Sequence, residues 1–188
     1  MQTVINGVDT NAMGDTIDAV RAEPALAAFT FKLTNRWIGG GLNRSTVDAF
    51  EGTLSEHRRP APFELLNDEP PVLLGGDGGA NPVEQVLHGL AGCLTTSLAY
   101  HAAARGIRVD AIRTRLEGDL DLRGFLGLDP AVRNGYRAIR VAFEVDGDLT
   151  EAERAGLVAL AQARSPVFDI VSRGVPVTCR LVASTPTA

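Results

Sequence analysis

Two sulfur atoms carry the reactive potential of this chain. Of its 188 residues only Cys93 and Cys179 are cysteines. A thiol acts as a nucleophile through its thiolate, which forms near neutral pH when a cation or a helix N-terminus stands close by. Cys93 lies in the run Leu90-Ala-Gly-Cys-Leu-Thr-Thr-Ser97. That run is well past the first turn of the helix its surroundings spell out, so the helix dipole contributes little. The cation must come from elsewhere. Arg36, Arg44, Arg58 and Arg59 fall in an N-terminal strand region that could pack over the helix, and each alone reads as a surface charge. The competing reading of Cys93 is a small core residue, because free cysteines are among the most buried types. His88 and His101 flank it in sequence but not in space. One is roughly 140° around the helix and the other roughly 80° around and two turns along. Neither makes a Cys–His pair.

The remaining candidates have structural readings. Cys179 shares strand parity with Val177 and Leu181, which points it at a core and gives it no role. Ser165 precedes Pro166 and reads as a helix cap. No Gly-x-Ser-x-Gly elbow exists, which argues against a common serine hydrolase. No Cys-x-x-Cys or zinc spacing occurs, so no metal and no cofactor is expected. The glycine-rich stretch from Pro70 to Ala80 lacks the Gly-Lys-Ser/Thr of a phosphate loop.

The element that must position Cys93 runs from Asn81 to Gly106. Asn81 is a capping residue, Pro82 suits the first helical position, and Glu84 completes a capping box. Arg105 suits the negative end, and Gly106 can take the left-handed conformation that stops a helix. Val83, Val86, Leu87, Leu90, Leu94 and Leu98 form one apolar stripe. Gly89, Cys93, Thr96, Tyr100 and Ala103 form a second, small enough for another helix to approach closely. From Gln85 to Ala104 there is no Asp, Glu, Lys or Arg, and a helix without a charged face is buried on all sides. His88, Thr95, Thr96, Ser97, Tyr100 and His101 are too many polar groups for lipid, so a core helix is expected rather than a membrane span.

Around it the periodicity gives strands at Phe29–Leu33, at about Asn43–Phe50 and, after the Pro60-Ala-Pro62 breaker, at about Phe63–Leu66. A clear alternating strand runs from Ile112 to Leu122, and another covers Ile139, Val141, Phe143 and Val145. Their charged faces read as solvated. Asp129-Pro130 can start a helical turn and Asn134-Gly135 marks a tight turn. Thr150-Glu-Ala-Glu153 is a second capping box, Ser165-Pro166 starts a short helix, and Val175–Val182 reads as a last strand. Asp15–Ala28 reads as a short helix outside the main core. The order is α+β with antiparallel pairing. One subunit has too few sheet faces to bury such a helix, so a homodimer is expected.

Composition sets the outer bounds. The length suits one domain with a core. A net charge of −5 without a basic run argues against nucleic acid or an acidic membrane surface as the main partner. Two cysteines make no disulfide framework, and Met1–Thr10 has neither the basic start nor the apolar core of a signal peptide. A reducing cytoplasm is the expected location.

Asn81-Pro-x-Glu, Leu-Ala-Gly-Cys93-Leu-Thr-Thr-Ser and His101-Ala-Ala-Ala-Arg-Gly-Ile107 resemble the central helix of the osmotically inducible protein C (OsmC) and organic hydroperoxide resistance family. Ser165-Pro-Val and Val175-Pro-Val match that family's C-terminal end. The resemblance spans roughly Phe29 to Val182, leaving residues 1–28 as an N-terminal extension to a domain over 29–188. It implies an intertwined α+β homodimer with long helices at its centre, and thiol-dependent reduction of organic hydroperoxides at the subunit interface. Cys93 falls on the peroxidatic cysteine and Arg36 on the thiolate-stabilising arginine. Two positions depart. The second, resolving cysteine of the family is Ser165 here. An acidic residue directly after the helix-starting proline is Val83, with Glu84 one residue late and so about 100° around the helix. The two-cysteine cycle is thereby broken, leaving Cys179 or an external thiol reductant to resolve. The alternative is a protein that kept the fold and binds a small apolar ligand at the dimer interface.

Overall fold

The computed structural model describes residues 3–183; residues 1–2 and 184–188, the ends of the expected extension and domain, lie outside them. Strands β1 (Val4–Ile5) and β2 (Val8–Asp9) pair antiparallel. They are joined by Asn6 and Gly7 at φ 52° and 78°, the double positive φ of a tight hairpin turn. Asn6 also grips the rest of the chain. Its side-chain amide donates to the carbonyl of Ile107 at 3.0 Å and of Ala99 at 3.5 Å, and its side-chain oxygen accepts from the Val109 N–H at 2.9 Å. Asn6→Ala leaves a partly buried donor and acceptor without partners. We expect a loss of about 1–3 kcal/mol in urea unfolding, with faster hydrogen exchange at the Val109 amide; unchanged exchange there would refute the link.

Asp9 caps helix α1 (Thr10–Ala22), accepting from the N–H groups of Asn11 and Ala12. The helix therefore starts earlier than the Asp15 expected from sequence, and Pro24 opens a separate 3₁₀ turn at Pro24–Ala27. α1 buries no residue.

The next unit is a four-stranded antiparallel sheet of β3 (Thr30–Phe31), β4 (Thr34–Gly39), β5 (Leu42–Gly52) and β6 (Ser55–Asn67). β5 is its hub, pairing with β3 and β4 near its two ends and with β6 along most of its length. The expected breaker at Pro60-Ala-Pro62 does not break the strand. The register passes from Val47↔Phe63 to Ala49↔Arg58, so the prolines occupy a bulge opposite Asp48, where no ladder N–H is required. The Arg59 guanidinium donates to the Asp48 carbonyl at 3.2 Å and so supplies the donor that the bulge removes.

The helical unit follows. α2 (Pro82–Ala103) has the capping box read from sequence: Asn81 Oδ1 accepts from Glu84 N–H and Glu84 Oε2 from Asn81 N–H, each at 2.8 Å. β7 (Ala111–Asp119) and β8 (Ala138–Asp146) form a two-stranded ladder. They are separated by the short α3 (Leu122–Phe125), and α4 (Glu151–Arg164) and α5 (Pro166–Arg173) close the chain. Leu90, Leu94, Leu98 and Ala102 of α2, Val145 of β8, and Leu157 and Ala161 of α4 make the buried core. On the outward face of the ladder Arg140 grips Asp119 with two bonds, at 2.5 and 2.9 Å, and Glu117 at 3.3 Å. These charges satisfy one another on a wet face.

Three sequence expectations need correction here. The strand from Ile112 ends at Asp119, not Leu122, because Asp121 accepts from the Arg123 N–H at 3.1 Å and turns the chain into α3. The Asp129 region is a turn without a helix. Among the described residues Val175–Val182 forms no ladder; its alternation fits a strand, but a strand needs a neighbour for its N–H and C=O groups.

Candidate functional site

The axis of the site is α2, and its two stripes are covered unequally. Leu90, Leu94 and Leu98 are at most 2% exposed against β8 and α4, whereas Val86 and Tyr100 are 41% and 52% exposed. Within one chain the helix is therefore not buried on all sides, as its lack of charge predicts. The second stripe faces away from the chain's own core at Gly89, Cys93, Thr96 and Tyr100, whereas its last member, Ala103, is 1% exposed and buried. A Cβ placed on Gly89 or Gly92 meets nothing within 4 Å, so nothing in this chain requires those glycines. Cys93 is half-buried and lies on this open stripe one turn beyond Gly89. It is not among the residues of the buried core.

The start of α2 is set by a buried carboxylate. Asp68, 4% exposed, accepts from the N–H of Glu69 at 2.8 Å, Gly78 at 3.0 Å and Gly76 at 3.1 Å. These bonds fold the glycine loop back onto the end of β6. The loop comes so close that a Cβ on Gly75 would stand 1.8 Å from the Glu69 carbonyl oxygen, and one on Gly79 would stand 2.6 Å from that of Leu66. The loop therefore positions backbone through a carboxylate and carries no phosphate-loop chemistry. The Gly78 N–H above all, with those of Glu69 and Gly76, holds the Asp68 carboxyl below its ordinary pKa against the opposing effect of burial. An unfolded aspartate titrates near about 3.9. The stability that this bonding contributes is thus complete above that value and is lost as pH falls through the lower folded one. Asp68→Asn should unfold at lower urea concentration than wild type near about pH 5, and the gap should shrink toward about pH 2. A gap constant over that range would show that the charge is not what holds the loop.

Arg36 is exposed on β4, directly opposite Arg44 of β5 and hence on the same sheet face. Among the described residues its guanidinium has no hydrogen bond or ion pair. Arg44 has Glu64 at 3.7 Å, and its buried Nε has no hydrogen-bond partner. The sheet thus carries two adjacent, under-compensated guanidiniums. The structure does not bring either of them to Cys93 within one chain: β4 packs on β5 and α2 packs on α4, α5 and β7. Arg44 gains its place beside Arg36 from strand register, which the sequence alone does not give.

Ser165 is 2% exposed. Its hydroxyl accepts from the Phe168 N–H at 3.1 Å at the start of α5, and its own N–H closes α4 on Ala161. It is a joint between two helices. Cys179 is exposed on the unpaired segment after α5. His88 is exposed, and burial first, then Arg105 and Arg164, holds the half-buried His101 below its ordinary pKa. Neither histidine hydrogen-bonds the Cys93 thiol. No helix among the described residues is long and apolar enough to cross a membrane.

The architecture is similar to that of known structures. An organic hydroperoxide resistance protein OsmC from Legionella pneumophila is 19% identical with a TM-score of 0.54, over 77% of this chain and 91% of that one. An OsmC-like protein from Mycoplasma pneumoniae is 16% identical with a TM-score of 0.59, over 77% of this chain and 88% of that one. At such identities the likeness establishes the α+β fold. No curated protein gives a significant match. The family model described as OsmC-like protein matches residues 75–180, more than half of the chain and the whole of the α2-to-α5 unit, and the chain belongs to the OsmC-like family.

Proposed function

We propose that this chain is a stress-response protein that reduces organic hydroperoxides through Cys93, within a homodimer in the reducing cytoplasm. The observation that carries the reading is the placement of Cys93: half-buried, on the uncovered stripe of α2, beside glycines that no contact in the chain explains. The organic hydroperoxide resistance named for the Legionella pneumophila protein supports the substrate class. The thiolate attacks the terminal peroxide oxygen and the O–O bond breaks. The alcohol leaves with a proton, and sulfur is oxidised by two electrons to a sulfenic acid. With Ser165 where a second thiol is expected, an external thiol returns Cys93 to its reduced form. It forms a mixed disulfide with loss of water, and a second thiol releases it. Arg36 of the facing copy supplies the positive charge that holds the sulfur as an anion.

The dimer is supported by surface. The chain exposes 13399 Å², whereas a compact monomer of 19.9 kDa exposes about 8,700 Å². The excess, about 4,700 Å² per chain, is more than enough for an obligate interface, in which the two partners together bury about 2,000–5,000 Å². Phe31, Trp37 and Phe63 on the β3–β6 sheet are 73%, 71% and 59% exposed, and that sheet is the available cover for a neighbour's open helix stripe.

Ser165 also favours a second reading, a non-catalytic protein of this fold that holds a small apolar ligand at the dimer interface, because its hydroxyl is committed to capping. Rapid trapping of a sulfenic acid at Cys93 by mass spectrometry after cumene hydroperoxide addition decides between them. The catalytic reading requires it in the native protein. Reaction of Cys93 only after unfolding would leave the fold without the chemistry.

A further inference from the structure

We infer that the cleft between α2, β8 and α5 binds an amphipathic carboxylate, an acyl chain of medium length ending in an anionic head. The cleft holds about 490 Å³, within the range of about 300–1,000 Å³ usual for small-molecule sites. Its floor is apolar: Val86 and Leu90 from α2, Ile139 and Val141 from β8, and Phe168 and Val171 from α5. Three separate elements of one chain converge there, so the cleft does not wait on a second copy to exist. One wall is the Tyr136 ring. Its hydroxyl donates to the Val83 carbonyl at 2.9 Å, and its ring lies so close to Gly118 that a Cβ there would come within 2.5 Å of it. The wall is thus fixed at both ends.

The charge around the cleft selects the ligand. Arg133 and Arg137 stand among its lining residues, in a chain whose net charge is −5. Among the described residues the Arg133 guanidinium has no ion pair or hydrogen bond. The Arg137 guanidinium reaches only Asp121, at 4.0 Å, and both oxygens of Asp121 are already held by Arg123, at 3.0 and 2.6 Å. Two cations with spare donors beside an apolar slot complement a molecule that is anionic at one end and apolar along its length. The chain leaves water for the floor, and the carboxylate takes charge-assisted bonds from the arginines. A neutral alcohol of the same length gains only the first of these, and a cationic amphiphile meets repulsion.

The site is independent of the peroxidase reading, since neither Cys93 nor Arg36 lines it. Calorimetric titration of the full-length protein with decanoate, decan-1-ol and decyltrimethylammonium, all below micelle formation, tests it. Decanoate should bind saturably, one per chain, at least about tenfold tighter than decan-1-ol, and decyltrimethylammonium more weakly still. The double variant Arg133→Gln/Arg137→Gln should lose at least about tenfold for decanoate while binding decan-1-ol as wild type does. Ser172→Trp, at an exposed position in the cleft wall, should block both. Equal binding of acid and alcohol, wild-type binding by the arginine variant, or no saturable binding up to about 1 mM would each overturn the inference. Cys93→Ser should bind decanoate as wild type does, which keeps the outcome separate from any result on hydroperoxides.

Discussion

Cys93→Ser should lower cumene hydroperoxide consumption, with a dithiol as reductant, by about 10³-fold or more, to the rate of the reductant alone. The size follows from the roles available. In the proposed reaction Cys93 supplies the bond-forming atom, and neither Ser165 nor Cys179 is placed to replace it. Ser165 is buried and capping α5, while Cys179 sits on a segment outside the α2 stripe. A serine hydroxyl has nearly the shape of the thiol, so folding and assembly should survive, and melting curves of the two proteins should coincide. Arg36→Gln tests the other half of the site and should act differently. A free thiol is only a few per cent ionised near pH 7, so removing an anion-stabilising cation can cost up to about 30-fold at that pH. Arg36→Lys, which keeps a positive charge at that place, should recover part of the deficit. Equal rates for wild type and Cys93→Ser would end the peroxidase reading. A deficit as large in Arg36→Lys as in Arg36→Gln would mean that charge alone is not what Arg36 contributes.

How much of this site is written in the sequence depends on how local each feature is. Both capping boxes, Asn81 with Glu84 and Thr150 with Glu153, form as read, because a cap and its partner are three residues apart. The alternation of Ile112, Leu116, Ile139, Val141 and Val145 also survives, since one covered face imposes a period of two. The helix that carries Cys93 was legible through the signals at its two ends. Features that depend on distant partners were not. The hairpin at Asn6-Gly7 was not among the elements read from the sequence, and nothing near it says that the Asn6 amide will grip a carbonyl 101 residues away. Pro60 and Pro62 read as a break because the bulge that excuses them belongs to the pairing with β5. Arg44 stands beside Arg36 through register, and the cleft under Tyr136 exists because three elements far apart in the chain converge. The Val175–Val182 alternation points the other way: the sequence asks for a ladder that a single chain does not form.

Gly89→Leu should turn the proposed dimer into monomer and aggregate, and Gly89→Ala should reveal by its sign whether the α2 stripe is covered. If the stripe faced water, the alanine would meet nothing in its own chain. It would then stabilise the helix by about 1 kcal/mol, the ordinary gain over glycine. If a second copy packs against Gly89 and Cys93, the added methyl intrudes on close-packed surface instead. Overpacking costs about 1–3 kcal/mol, enough to reverse the propensity gain. Leucine at the same place cannot be accommodated by small adjustments. It should dissociate the pair in sedimentation velocity and expose the apolar rings of Phe31, Trp37 and Phe63. Because folding and association are linked, the wild-type melting temperature should rise with protein concentration. A Gly89→Ala protein that melts higher than wild type, with the same sedimentation coefficient and no concentration dependence in either, would show that this helix face looks into solvent. The excess of exposed surface would then need another explanation, and Arg36 would have no route to Cys93.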